Sequence, residues 1–486
     1  MNQPNQTTVI VGAGFAGLFT ALHLRHKYHS GSIILIDSQE QFVFKPMLYE
    51  MLTGELEENT VCPTYEELLQ GSDITFLKNK VETINLLQKR VQLLFGSDYT
   101  YDYLVLTVGS IQGYLGTEGA KDNAFAFRTR ENVIALESQL RDCLLRASQA
   151  NDEQQRQHLL TFAVVGAGPA GVEMAATLAD LLPHWYDKLG GNIHEIRIIL
   201  INHSKEILSG DINAHLRDVA LKAFKMRTVS VELLLGVGVK AVEPDKLKYQ
   251  SVGSTEIETL LTYTTIWTAG TAVNPLIQSL SSQISPDYLD KHGLPFVKPT
   301  LQLLGFPDVF VAGDCADVQA QPQPALAQVA YQQGTAIAHN LMALAHGTPL
   351  YPAEVNLRGT LMKLGLGNGV ANLFDKVQID GKLGDMLRTA TYLELLPTPL
   401  HNFKATTGWL KEEIFHRYHR PEQATNQAQQ SPPLSPVEQR DRLLVKALAV
   451  LAPIVFFVAA FLGLQTPPSE QRSPPSSTPT TSSESN

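Results

Sequence analysis

The chain has 486 residues, 44% of them hydrophobic, enough for two or three domains with substantial cores. Its 48 acidic residues outnumber the 38 lysines and arginines, and the net charge of -10 argues against a nucleic-acid partner. The three cysteines, Cys62, Cys143 and Cys315, are too few and too scattered for a disulfide framework and fit a reducing compartment.

The N-terminus, Met1 to Gln6, is polar and lacks a basic run, so no signal peptide is expected. Thr8-Val9-Ile10-Val11 then leads into Gly12-Ala13-Gly14-Phe15-Ala16-Gly17, followed by Leu18 to Leu24 with apolar residues at helical spacing. This is a strand, a tight turn and a helix start. Glycine at 12, 14 and 17 lets the backbone approach a pyrophosphate that rests on the helix N-terminus. Ser32 to Asp37 reads as a buried parallel strand whose terminal acid is placed to accept both ribose hydroxyls of an adenosine. Tyr101 to Gly109 is another strand, ending in glycine. Gln139 to Gln157 is charged and glutamine-rich and reads as a solvated helical connector.

The opening pattern then repeats. Phe162-Ala163-Val164-Val165 runs into Gly166-Ala167-Gly168-Pro169-Ala170-Gly171. Aligning residues 33–38 with 198–203 puts Asn202 where Asp37 stands. An acid at that place binds the ribose 2′-hydroxyl and repels a 2′-phosphate. Asn202 keeps the hydrogen-bonding capacity without the repulsion, and His203, Lys205 and Arg227 are expected nearby, so NADPH is expected to be accepted alongside NADH. Thr264 to Gly270 matches the earlier strand ending at Gly109, and the pair marks crossing points between two nucleotide units. Phe310 to Asp317, with its Gly313-Asp314 pair, returns the chain to the first unit.

Two such turns suggest two dinucleotides on one protein, an arrangement that moves electrons from a nicotinamide to a flavin. FAD is assigned to the turn of Gly12, Gly14 and Gly17 with Gly109, and NADH or NADPH, as substrate, to that of Gly166, Gly168 and Gly171 with Gly270. The expected architecture is α/β, with two Rossmann-like dinucleotide-binding domains plus a C-terminal membrane-association region. The expected boundaries are 1–120 (FAD domain, first part), 121–159 (helical connector), 160–292 (NAD(P)H domain) and 293–346 (FAD domain, second part, with a helix that the resemblance given below assigns to a quinone site). Residues 347–425 follow as a membrane or dimer region, 426–442 as a linker, 443–464 as a transmembrane or interfacial helix and 465–486 as a disordered tail.

Ala447 to Leu464 is uncharged and apolar, and as a helix it would be about 27 Å long, near the hydrocarbon thickness of a bilayer. Arg440, Arg442 and Lys446 precede it and only Arg472 follows, which places the catalytic domains on the cytoplasmic side of a plasma or thylakoid membrane. A core helix and a helix lying in the interface are the alternatives. No His/Cys cluster suggests a metal site. No CxxC or CxxxxC motif follows Asp37, and Cys143 and Cys315 are poorly placed as a redox pair at a flavin.

The order GAGFAG, FVFKPMLYE, TVGS, GAGPAGVE, TAG, AGDCAD, AQVAYQQG resembles the type II NAD(P)H:quinone dehydrogenases, the single-chain, non-pumping respiratory flavoenzymes, over about residues 7–420. The most discriminating segment is Ala327 to Gly334. The stretch from Tyr392 to Pro397 and on to Trp409-Leu410 is similar to the cyanobacterial and plastid branch. The resemblance implies that Asp314 contacts the flavin ribityl or pyrophosphate region, though an N-cap suits the same position. It implies that Glu173 points at the nicotinamide–flavin contact, orienting the carboxamide or relaying a proton; the helix dipole alone also favours a glutamate there. Lys45 would face the isoalloxazine and stabilise its reduced anionic form. Gln328 and Gln332, one helical turn apart, would offer amides to a quinone, with Ala327, Ala330 and Gly334 letting the helix approach a flat ring. A polar helix packed on a small-residue seam is the plainer account of the same residues.

The resulting expectation is FAD-dependent transfer of hydride from NAD(P)H to the flavin and of two electrons on to a membrane quinone, without proton pumping. A homodimer on a lipid bilayer is expected, with no nucleic acid and no metal. The alternatives are a flavoenzyme with a soluble acceptor, such as a ferredoxin reductase, and a membrane-anchored sensor of the NAD(P)H/quinone balance.

Overall fold

Aliphatic and β-branched runs buried on both faces build the parallel centres of two sheets. In the first, Thr7–Val11 lies between Ser32–Asp37 and Tyr103–Leu106, with Val11 opposite both Ile36 and Leu106. Ile74–Lys78 and Phe306–Val311 extend it in parallel on either side. In the second, Thr161–Val165 lies between Arg197–Asn202 and Thr264–Trp267, with Val165 opposite Ile201 and Trp267. Val231–Leu235 and Ala124–Ala126 flank it, also in parallel. Each buried Val, Leu or Ile of these strands contributes about 1.5–3 kcal/mol. The two sheets are copies of one plan, and in such open sheets ligands sit beyond the carboxyl ends of the strands.

The computed structural model describes residues 6–406, apart from 27–30, 210–213, 320, 358, 374–376, 399–400 and 403–405. The linker, apolar segment and tail expected over 426–486 lie outside the described residues, as do Trp409 and Leu410. Among the described residues no helix is long and apolar enough to cross a membrane.

The stretch 121–159 is not helical throughout. It opens with Ala124–Ala126, an edge strand of the second sheet, and continues as helices Arg130–Gln149 and Glu153–Leu159. Thr129 fixes the start of the longer helix with a capping box: its hydroxyl accepts from the Asn132 N–H while the Asn132 side chain accepts from the Thr129 N–H. Asp152 caps the second helix.

Helix Ala327–His346 packs directly on helix Phe15–His26. A Cβ on Gly334 would lie 2.4 Å from the carbonyl oxygen of Ala16, and the Thr20 hydroxyl is 3.1 Å from the Gly334 carbonyl. Beyond this helix, Gly359–Lys363, Gly369–Leu373 and Val377–Asp380 form an antiparallel sheet, and helix Gly381–Glu394 packs on it.

Candidate functional site

Both glycine-rich turns are held by the same four interactions. The Gly12 N–H donates to the Ile36 carbonyl, and the Gly166 N–H to the Ile201 carbonyl, each at 2.8 Å. The Thr107 hydroxyl lies 2.7 Å from the Gly12 carbonyl and 3.1 Å from that of Val11; the Thr268 hydroxyl lies 3.0 Å from Gly166 and 2.9 Å from Val165. Asp37 Oδ2 accepts from the Ala13 N–H at 2.7 Å, and Asn202 Oδ1 accepts from the Ala167 N–H at 3.2 Å. Finally, a Cβ on Gly17 would stand 1.9 Å from the Gly12 carbonyl oxygen, and one on Gly171 1.7 Å from that of Gly166. The two threonines belong to the TVG and TAG segments, so a repeated Thr-x-Gly was the sequence signal for them. Gly109 and Gly270, the last residues of those segments, both hold positive φ.

The turns fit a dinucleotide on geometry. Positive φ at Gly12 and Gly166 bends the chain, while Gly14 and Gly168 have no protein atom within 4 Å of where a Cβ would be. Packing does not require glycine at 14 and 168; the open space over the turn does, and a diphosphate on the following helix start suits it.

On the FAD side, Ser110 and Asp314 are joined by a 2.9 Å hydrogen bond from the Ser110 hydroxyl to Asp314 Oδ2. Arg128, which the sequence reading did not single out, donates to the Ser110 hydroxyl at 2.9 Å and the Ser110 carbonyl at 3.1 Å. Lys45 faces this group: burial lowers its pKa first, Arg128 lowers it further and Asp314 opposes them. The lysine side chain is exposed to solvent. Asp37 is also buried enough that its carboxyl pKa is raised, against hydrogen bonds from the Ala13 and Gln39 N–H groups.

On the nicotinamide side, Asn202 stands in the Asp37 position and its amide donates to the Ser204 and Glu206 carbonyls, shaping the loop that carries His203 and Lys205. Arg227 is elsewhere. It pairs with Asp180 at 2.9 Å, both nearly buried, and Asp180 also accepts from the Thr228 and Leu366 N–H groups. Its charge is spent on that clamp.

Glu173 sits in helix Pro169–Asp187 just after the second turn. Its Oε1 accepts from the Lys363 N–H at 2.7 Å and lies 3.8 Å from Arg388 Nε. Burial dominates and pushes its pKa up to about 7, although Arg388 pulls the other way. Behind it lies a buried ion cluster of which only Glu50, the last residue of FVFKPMLYE, falls in a motif quoted from the sequence. Glu50 Oε1 accepts from Arg388 at 2.6 Å and from Lys363 Nζ at 3.1 Å, and Lys363 Nζ also donates to Glu55 at 2.5 Å. Burial would raise the Glu50 pKa, but the two cations hold it at about 2. Asp385, from the C-terminal helix, is pushed by burial up to about 6. Arg388 also donates to the Pro46 carbonyl at 2.8 Å and lies over the Tyr392 ring.

Gln328 and Gln332 are both tied to the segment that leads into the C-terminal sheet. Gln328 Nε2 donates to the Gly359 carbonyl at 3.2 Å. The Gln332 amide exchanges two hydrogen bonds with the Asn356 backbone, at 2.9 and 3.1 Å. The small-residue seam does not face a ring at Gly334; it closes on helix Phe15–His26, because only a missing Cβ permits that backbone contact. Gln333, overlooked in the sequence, accepts from the Gly313 N–H at 2.7 Å and so fixes the Gly313-Asp314 turn. Among the described residues no three His, Cys, Asp or Glu side chains cluster to hold a metal.

The family model of the pyridine nucleotide-disulphide oxidoreductases matches residues 6–334. The chain is 30% identical over 419 residues to demethylphylloquinone reductase NdbB of Synechocystis sp., covering 83% of this chain and 96% of that protein. It is 31% identical over 355 residues to the type II NADH:quinone oxidoreductase Ndh of Mycobacterium tuberculosis, covering 71% and 74%. Among solved structures, NDH2 of Plasmodium falciparum in complex with NADH superposes with a TM-score of 0.76 at 18% identity, covering 85% of this chain and 99% of that one.

Proposed function

Because the chain belongs to the pyridine nucleotide-disulphide oxidoreductase family, within its type II NAD(P)H:quinone oxidoreductases, we propose a division of labour among its own residues. The protein is an FAD-dependent oxidoreductase that passes two electrons from NAD(P)H to a quinone. Bound FAD supplies the two-electron carrier between the two substrates. The residues of the chain bind, align and manage protons.

Gly12, Gly14, Gly17 and Asp37 seat the FAD diphosphate and ribose, and Asp314, oriented by Ser110, meets the more distant part of the cofactor. Lys45 and Arg128 place positive charge on this side, where negative charge grows on reduction. Gly166, Gly168, Gly171, Asn202 and Gly270 seat NAD(P)H, while Gly109 at the other crossing belongs to the FAD side. The lack of an acid at 202 supports use of NADPH beside NADH. Glu173 holds a proton near neutral pH beside the nicotinamide turn and is the proton-managing group. Gln328 and Gln332 border the quinone site with Gly359 and Asn356. The observation that carries this reading is the duplicated turn geometry, with Thr107 and Thr268 and Asp37 and Asn202 in equivalent places.

A quinone acceptor is lipid-soluble, so the uncharged run at 447–464 supports attachment to a membrane, and a homodimer is part of the same proposal. Anaerobic stopped-flow tests the whole. NADH or NADPH bleaches the flavin band at about 450 nm, and a short-chain quinone restores it. Recovery only with ferredoxin or oxygen defeats the proposal, and very slow turnover despite complete bleaching favours a sensor. Gln328→Ala slows the recovery but not the bleaching; normal recovery removes Gln328 from the quinone site.

A further inference from the structure

The chain between residues 41 and 65 makes a closed excursion from the first sheet. The Phe42 N–H donates to the Pro63 carbonyl at 2.9 Å, the Phe44 N–H donates to the Val61 carbonyl at 3.0 Å, and Gln41 and Thr64 form an antiparallel bridge. This excursion carries two buried tyrosines, 4% and 2% exposed. Tyr49 donates its phenol hydrogen to the Ala170 carbonyl at 3.0 Å. Tyr65 donates its own to the Ala13 carbonyl at 2.8 Å. Ala13 lies in the first glycine-rich turn and Ala170 in the second, so one short segment touches both.

We propose that Tyr49 and Tyr65 are positioning residues that set the spacing between the two dinucleotide turns, and through it the approach of nicotinamide to flavin. The inference rests on the dinucleotide assignment above and goes beyond it. Hydride transfer needs reacting atoms about 3–3.5 Å apart, and a misplacement of about 1 Å is costly. The threonine, Asp37 and Asn202 bonds fix each turn only to its own sheet. The Tyr49 bond runs from the FAD-side segment to the nicotinamide-side turn. The rings are held too: Tyr65 packs on Phe76 with centroids 4.6 Å apart, and Tyr49 on Phe127 at 4.9 Å. Burial raises both phenol pKa values, helped by Glu173 beside Tyr49 and Asp37 beside Tyr65, so both hydroxyls stay neutral donors at physiological pH. Tyr49 closes the FVFKPMLYE segment beside Glu50, and Tyr65 lies outside the quoted motifs.

The test uses the FAD-loaded protein and removes one oxygen at a time. NAD+ affinity is measured by calorimetry, FAD release by the rise in flavin fluorescence on dilution, and stability by thermal unfolding. Tyr49→Phe leaves a buried carbonyl without its donor and weakens NAD+ binding by about five-fold to ten-fold, with FAD release as in the native protein. Tyr65→Phe speeds FAD release by a similar factor, with NAD+ affinity changed less than about two-fold. The limiting rate of flavin reduction at saturating NADH, followed by anaerobic stopped-flow, falls in both variants; an unchanged rate in both, or loss of thermal stability alone, overturns the proposal. A native protein that holds FAD but binds no NAD+ overturns the dinucleotide assignment itself, which separates the two failures.

Discussion

Glu173 accepts a hydrogen bond from the Lys363 backbone N–H at 2.7 Å, so the helix that begins at the second glycine-rich turn meets the C-terminal sheet through an acid. The contact spans 190 residues of sequence. It links the nicotinamide side to a part of the chain outside both dinucleotide units.

Burial raises the Glu173 pKa to about 7, so the folded protein binds a proton there that the unfolded chain releases at an ordinary carboxylate pH. Between the ordinary glutamate value of 4.5 and about 7 the native state therefore holds more protons, and stability falls as pH rises through that window. Glu173→Gln flattens this slope. It also removes an inflection near neutral pH from the rate of flavin turnover. Superimposable pH profiles of variant and native protein defeat both expectations.

Glu50 behaves in the opposite way. Its pKa, held at about 2 by Arg388 and Lys363 against burial, gives stability that is present above the ordinary carboxylate range and lost as pH falls towards 2. Glu50→Gln leaves two buried cations short of their shared anion and costs about 3–5 kcal/mol at neutral pH. Denaturant unfolding measures the loss. The deficit relative to the native protein shrinks in acid, where native Glu50 is itself protonated.

The two turns can be broken separately. Gly17→Ala drives a methyl into the Gly12 carbonyl, and Gly171→Ala does the same at Gly166. Gly171→Ala yields yellow protein that no longer binds NAD+, whereas Gly17→Ala yields protein depleted of flavin. Absorbance of the purified variants and calorimetry with NAD+ distinguish them. Equal flavin content in both contradicts the assignment of the first turn to FAD.

Asn202→Asp restores an acid at the end of its strand while preserving an oxygen for the Ala167 N–H. It lowers the NADPH/NADH ratio of kcat/KM by roughly ten-fold, a change of about 1.4 kcal/mol. An unchanged ratio places the 2′ position of the nucleotide elsewhere.

The dinucleotide halves were legible because their physics is local. A strand, three glycines and a helix occupy adjacent positions, and Asp37 and Asn202 are found by counting to the end of the next strand. The alignment that paired them is matched by their common bond to the second residue of each turn. The ion cluster was not legible. Glu50, Lys363 and Arg388 lie in three remote segments, and each resembles an ordinary charge on an amphipathic element until folding buries it. Arg227 failed as a phosphate-binding candidate for a related reason: sequence proximity to Asn202 does not reveal that Asp180 has already claimed it. Gly334 shows a third limit, since a seam of small residues signals close approach but does not say to what.

Both cations that neutralise Glu50, Lys363 and Arg388, lie beyond helix Ala327–His346. A fragment trimmed to its nucleotide-binding portions would therefore lose both counter-ions of Glu50 together with the side chains packed over it. The module is transferable only as a whole.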